Sequence, residues 1–299
     1  MEELFYSKEE TIKYYDEQSS SYDEATYYTD RLGFYPANLY RLNLTKKIIS
    51  HNLNKNFKVF DAGCGTGELL VYLLQEGYDA SGCDISSEMV KITNDKISKI
   101  SKKIPVLQTG LDDLSQIEDA SFDAVFAMGV FPYIPEEIET KSYSELNRIL
   151  KPGGMFISAH ENELFDLFTF NKYSVKFFKK NVLPLIIQSS SDISHKDLVN
   201  DFENLISNPK APQEKNALKA PRDLIFTKSE NPIIFDKKLY SHGFIQQEQL
   251  FYHFHAAPPL LRNKNKKLIE VSKELEAQLS DNWLGNFLAS TFISVAKKN

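Results

Sequence analysis

Residues 59–74 read VFDAGCGTGELLVYLL. A short apolar run ends at Ala62, glycines then occupy every second position (Gly63, Gly65, Gly67), and a leucine-rich run follows. This is the pattern of a strand turning into a helix through a bare backbone, where a ligand can rest against N–H groups and the helix N-terminus. A bound dinucleotide asks for G-x-G-x-x-G, with the last glycine allowing helix to pack on strand. The three-residue step is missing in this chain, and Glu68 stands near the place a phosphate would take. Asp61, just ahead of the turn, likewise suits a cationic amino group better than a phosphate. Asp84 lies 17 residues beyond Gly67, at the end of the next apolar run, where a carboxylate can accept both hydroxyls of a ribose. The ligand so described carries a ribose and an amino group but no phosphate.

Working outward, residues 39–53 have the spacing of an amphipathic helix ahead of the strand KVFDA. After the turn come the helix ELLVYLLQEG closed by Gly77, the strand DASGCDI, a helix N-capped by Ser86 or Ser87, and the strands IPVLQTG and FDAVFAMGV. A helix over about 135–150 is stopped by Pro152, and Gly153 or Gly154 turns the chain into the strand MFISAH. Such alternation predicts an α/β fold with a doubly wound, largely parallel, Rossmann-like sheet. Residues 161–235 contain no convincing strand and read as a mostly helical insertion. The sheet resumes with the helix FDKKLYSHG, the strand FIQQEQLFYHFHA, the helix NKKLIEVSKELEAQL and the strand NFLASTFISVAKK.

The bulk numbers narrow the classes. With 299 residues, of which 42% are hydrophobic, the chain can bury a substantial core. A formal net charge of -6 argues against general nucleic-acid binding, which needs a concentrated basic surplus. Cys64 and Cys83 cannot form a disulfide framework, the N-terminus begins MEELFYSKEE without a leader-like pattern, and no run approaches membrane-spanning length. A cytoplasmic protein is therefore expected. No metal site is expected from two cysteines alone.

The successive motifs DAGCGTGEL, GCDISSEMV, FDAVFAMGVFPYI and RILKPGG resemble, in order, those of the class I S-adenosylmethionine-dependent methyltransferases. The resemblance covers about residues 8–160 and, more weakly, 236–299. It implies a seven-stranded sheet whose last strand is antiparallel, and S-adenosyl-L-methionine as cofactor. It further implies that Asp61, Gly63 and Gly65 line the methionine portion, that Asp84 binds the ribose, and that Ile85 and Met89 lie against the adenine. Leu111 and Asp112 would flank the adenine edge, and Met128 would close the methionine side. Gly110 and Pro132 depart from the residues frequent at their positions in relatives. The N-terminal YYDEQSSSYDE resembles a segment that closes over the cofactor in small-molecule members, with Tyr15 and Tyr22 two helical turns apart. The implied organisation is a helical lid over 1–34, a core over 35–160 and 236–299, and a helical insertion over 161–235 covering the acceptor site. For Asp84 a helix-capping role, and for the two tyrosines plain packing, are the competing readings.

Methyl transfer requires alignment of acceptor, methyl and sulfur, and a proton acceptor if an alcohol or phenol is methylated. Bases are expected at the carboxyl ends of strands, facing the crevice. His160 ends the fifth strand; His253 and His255 end the sixth and, two apart, point to one side. His160 is the first expectation and His255 the second. The aromatic run from Phe165 to Phe178 suits a cover over a partly apolar or ring-shaped molecule, or the core of the inserted helices. The expected activity is O- or N-methylation of a small molecule such as a sugar or secondary metabolite. A protein or peptide methyltransferase and a non-catalytic cofactor-binding module are the alternatives.

Overall fold

Seven strands form one sheet in the order β3-β2-β1-β4-β5-β7-β6. They are β1 Lys58–Ala62, β2 Asp79–Asp84, β3 Val106–Gln108, β4 Phe122–Met128, β5 Leu150–Glu161, β6 Phe244–Phe254 and β7 Ala289–Lys298. The first five run parallel, while β7 is inserted antiparallel between β5 and β6. The computed structural model describes residues 5–28, 35–100, 104, 106–185, 194–206, 224–262 and 267–299. The expectations that touch residues 1–4, 29–34, 186–193 and 207–223 lie in part outside the described residues.

The helices that flank the core are α1 Lys8–Gln18, α2 Ala37–Asn52, α3 Glu68–Gln75, α4 Ser87–Ser98 and α5 Glu136–Ile149. Further along the chain come α6 Phe165–Phe168, α7 Lys172–Phe177, α8 His195–Ile206, α9 Phe235–Ser241, α10 Pro259–Arg262, α11 Lys267–Leu279 and α12 Gly285–Leu288. The sheet is hydrophobic on both faces, as a covered parallel sheet must be. Leu42, Ile48, Leu70 and Ile157 belong to the core on one face; Phe60, Phe131, Phe156 and Phe292 belong to the other. Local chemistry sets the element ends. Ser86 is the N-cap of α4, its Oγ accepting the Met89 N–H at 3.1 Å. At the other predicted break, β5 begins at Leu150 rather than after the glycines, with Gly153 in the left-handed region at φ 71°.

The segment after β5 is tied back to the core. Glu230 N–H donates to the Glu161 carbonyl at 2.9 Å, and Lys228 N–H donates to the Pro132 carbonyl at 2.8 Å. Glu139 of α5, 1% exposed, lies between the ammonium groups of Lys228 and Lys238 at 2.5 and 2.7 Å. Among the described residues, no helix is long and apolar enough to cross a membrane.

Candidate active site

Each glycine of the β1–α3 turn adopts positive φ: 76° at Gly63, 54° at Gly65 and 82° at Gly67. Side chains resist that conformation, which accounts for the alternate-position spacing. The turn is anchored by the Gly63 and Cys64 N–H groups, both donating to the Cys83 carbonyl at 2.8 Å. Cys64 and Cys83 are buried free thiols; burial pushes the Cys83 thiol up to about 12, so neither is a poised nucleophile. Asp84, at the end of β2, accepts the Gly65 N–H at 2.8 Å on one oxygen and the Ser86 N–H at 2.9 Å on the other. Each oxygen retains capacity for a further donor, so capping and ligand binding are compatible at this residue. Burial raises the Asp84 pKa, while the backbone N–H groups of Ser86 and Gly65 work in the opposite direction.

Asp61 is 2% exposed, and its Oδ2 has no hydrogen-bond partner among the described residues. Burial, aided by the nearby Asp84 charge and opposed by Arg41, pushes its pKa up to about 7. A buried carboxylate in that condition is complementary to an incoming cation.

Asp61 and Asp84 open onto one cavity of about 670 Å³. Tyr15, Tyr22, Gly63, Gly65, Ile85, Met89, Leu111, Asp112 and Met128 also line it, so the cofactor residues expected from the sequence are brought together on a single wall system. Tyr15 and Tyr22 meet edge to face with ring centroids 6.5 Å apart, although α1 ends between them and a tight turn over Ser19–Ser21 intervenes. The N-terminal segment is fastened to the core by charge. Asp16 accepts a hydrogen bond from the Ser86 hydroxyl, Asp23 accepts one from Thr66 at 2.5 Å, and Lys96 bridges Asp23 at 2.5 Å and Glu68 at 2.6 Å.

Arg41 of α2 also faces the cavity, and sequence reasoning passed over it. Burial works against its charge, while Tyr252, Tyr27, Tyr22 and Tyr133 around it favour that charge, and its pKa is raised on balance. Its charge in turn opposes the upward pKa shifts of Tyr27 and Tyr252, which burial dominates. Gly129, at φ 88°, follows β4 where a Cβ would collide with the guanidinium. A signal for Arg41 did exist: it shares the inward face of α2 with Thr45, Ile48 and Ile49, at i, i+4, i+7 and i+8.

At the far end of the cavity the three histidines divide. His160 does not face it: the side chain is 2% exposed and packed against Phe131, Phe235 and Phe292, with Nε2 2.8 Å from the Ser158 hydroxyl. Burial, together with Lys238 and Lys228, lowers its pKa well below the ordinary histidine range. The expectation that His160 stands between cofactor and acceptor is corrected by strand alternation, since its neighbour Glu161 is the β5 residue on the cavity wall. His253 and His255 do line the cavity, with ring centroids 4.8 Å apart. They do not get there by regular alternation: β6 ends at Phe254, and His253 has φ 59°. Phe165 packs on the His255 ring at 4.7 Å, and Phe165, Thr227, Ser290 and Thr291 complete this end. Glu161, Thr227, Ser290 and Thr291 are polar residues of this end that the sequence did not single out.

The comparisons agree with this architecture. Residues 59–154 match the family described as a methyltransferase domain. An uncharacterized protein of Methanocaldococcus jannaschii is 32% identical over 172 residues, 57% of this chain and 56% of that protein. The carboxy-S-adenosyl-L-methionine synthase of Campylobacter lari is 31% identical over 131 residues, 43% of this chain and 53% of that protein. The chain thus spans about half the length of these curated relatives. In fold, the magnesium protoporphyrin IX methyltransferase of Synechocystis PCC 6803, solved with S-adenosylhomocysteine, superposes with a TM-score of 0.56 at 14% identity, covering 98% of this chain and 99% of that one. Residues 59–154 thus match a methyltransferase domain, and they lie in a seven-stranded sheet whose overall fold is similar to that of the Synechocystis methyltransferase.

Proposed function

We propose that the chain transfers a methyl group from S-adenosyl-L-methionine to a small-molecule acceptor held at the histidine end of the cavity. The observation that carries this reading is the pairing of Asp61, a buried carboxylate with an unpartnered oxygen, with Arg41, a buried cation among tyrosines, in one cavity that Asp84 also enters. Such opposed charges are complementary to the ammonium and carboxylate of an amino-acid zwitterion, and Asp84 is complementary to a ribose. The bound cofactor supplies an electrophilic methyl on a sulfonium.

The protein's own work is binding and alignment. Asp61 and Arg41 fix the amino-acid end, Asp84 holds the sugar, and Ile85, Met89 and Leu111 offer an apolar berth for the base. The tyrosines of residues 1–34 close the cofactor end against water, and the 161–235 insertion covers the acceptor end through Phe165 and Thr227. A cavity end lined by Tyr133, Phe165, His253 and His255 favours an acceptor with a ring or apolar body.

Calorimetry with S-adenosylhomocysteine tests the cofactor assignment. Asp84→Ala is expected to weaken binding by about 1.5–3 kcal/mol, the cost of losing charged hydrogen bonds. Wild-type protein that takes NAD and ignores S-adenosylhomocysteine would overturn the reading.

A further inference from the structure

Two polar groups beside the His253 ring fix its protonation pattern. Its Nε2 lies 3.0 Å from the Tyr35 carbonyl oxygen, which can only accept, so Nε2 carries the hydrogen. In the neutral ring Nδ1 is then bare, and the Ser290 hydroxyl, 2.6 Å away, donates to it. With its proton engaged behind it, the Ser290 oxygen presents lone pairs to the cavity that it lines. The support around the ring is extensive. The Tyr35 ring packs against it, tilted by 31° at 4.7 Å, and the Tyr35 hydroxyl donates to Glu276 of α11, which also accepts the Phe254 N–H at 3.1 Å. His255 meets the ring edge to face. The left-handed backbone at His253, uncommon for a non-glycine residue, is held by this surrounding structure.

We infer that Ser290 and His253 form a proton relay, and that the acceptor is accordingly a hydroxyl compound, an alcohol or phenol, whose oxygen hydrogen-bonds to Ser290 Oγ. The inference rests on the methyltransferase reading of the cavity. As the acceptor oxygen bonds to the methyl carbon, the carbon–sulfur bond breaks and its electron pair stays on sulfur. The acceptor's proton passes to Ser290 Oγ, and the serine's own proton passes to His253 Nδ1. The imidazolium is then held between the Tyr35 carbonyl and the Ser290 oxygen and later loses its extra proton to water. An amine arriving neutral would not need this apparatus. Among the described residues, Tyr35 and His255 pack against the histidine ring, and Glu276 accepts from the Tyr35 hydroxyl.

Para-nitrophenol, whose absorbance reports its own ionisation, tests the relay without the unknown acceptor. Wild-type protein is expected to shift the dye's ionisation toward acid by about tenfold in proton concentration. Ser290→Ala and His253→Ala should abolish the shift, and Ser290→Thr, which retains a hydroxyl, should restore it. Identical titrations of wild type and Ser290→Ala, including no shift in either, overturn the relay. Unchanged S-adenosylhomocysteine binding by the variants checks their folding. A wild-type protein that shifts the dye but binds no S-adenosylhomocysteine would instead sink the methyltransferase reading and leave the relay standing. Nitrogen-15 NMR of histidine-labelled wild type needs no variant: the relay requires the Nε2–H tautomer at His253, and the Nδ1–H tautomer refutes it.

Discussion

At the bottom of the cavity Asp61 has a carboxylate oxygen with no partner, and burial lifts its pKa from 3.8 to about 7. A carboxyl whose folded pKa lies above its unfolded value binds its proton more tightly when folded, so it costs increasing stability as pH rises through that window. The ligand-free protein should therefore melt at lower temperature as pH rises from about 4 to about 7. Asp61→Asn should flatten that dependence and raise stability at neutral pH by about 1–3 kcal/mol, while S-adenosylhomocysteine binding is lost. Melting curves and calorimetry read the two arms; an asparagine variant that is both less stable and still binding would contradict the assignment. Asp61 and Asp84 were legible in the sequence because the glycine turn between them is local and its geometry follows from residue type. His160 was not, because whether a residue at a strand end faces the ligand or the opposite core depends on alternation parity, which position alone leaves open. Glu161 and Ser290 carried no signal either, since Glu161 is placed by pairing with Thr291 and Ser290 by accepting the Asn162 N–H on its carbonyl at 2.9 Å, both far along the chain.

Between elements, the joint that matters is the one holding the N-terminal segment on α4. Lys96 is about one-quarter exposed and contacts Asp23 and Glu68 together, so its pairing is screened only in part. Lys96→Ala should accelerate S-adenosylhomocysteine release about three- to tenfold in stopped-flow dissociation, consistent with loss of about 1 kcal/mol from a partly shielded pair. High salt should do the same to wild type and little to the variant. Equal dissociation rates would show that the segment is held by its tyrosines instead. Helices α2, α3, α4 and α5 were readable from apolar spacing and caps within a few residues. The docking of α1 was not, because its polar, tyrosine-rich sequence lacks an aliphatic stripe and is recruited by Asp16 and Asp23 through partners far along the chain.

Across the whole molecule, the doubly wound sheet of seven strands with an antiparallel last strand followed from alternating strands and helices and from the family resemblance, while the tie between α5 and the segment returning after β5 depends on a buried charge no pattern announces. Glu139 links α5 to Lys228 of the returning segment and to Lys238 of α9. Glu139→Ala leaves Glu230, 3.7 Å from Lys228 and 2.5 Å from Lys238, as the carboxylate the two ammonium groups share, and should destabilise the fold by about 1–3 kcal/mol in thermal or urea melts. A loss within experimental error would mean that the lysines turn to water at no cost. The insertion of β7 between β5 and β6 has a consequence for a growing chain. Both neighbours are synthesised before β7, and until Ala289–Lys298 arrives β5 lacks a partner on one side and β6 has none at all. Two apolar strands with open hydrogen-bonding edges are templates for association with other chains. A ribosome paused ahead of Ala289 would therefore hold the protein at its most aggregation-prone stage, with chaperones rather than the fold itself shielding those edges.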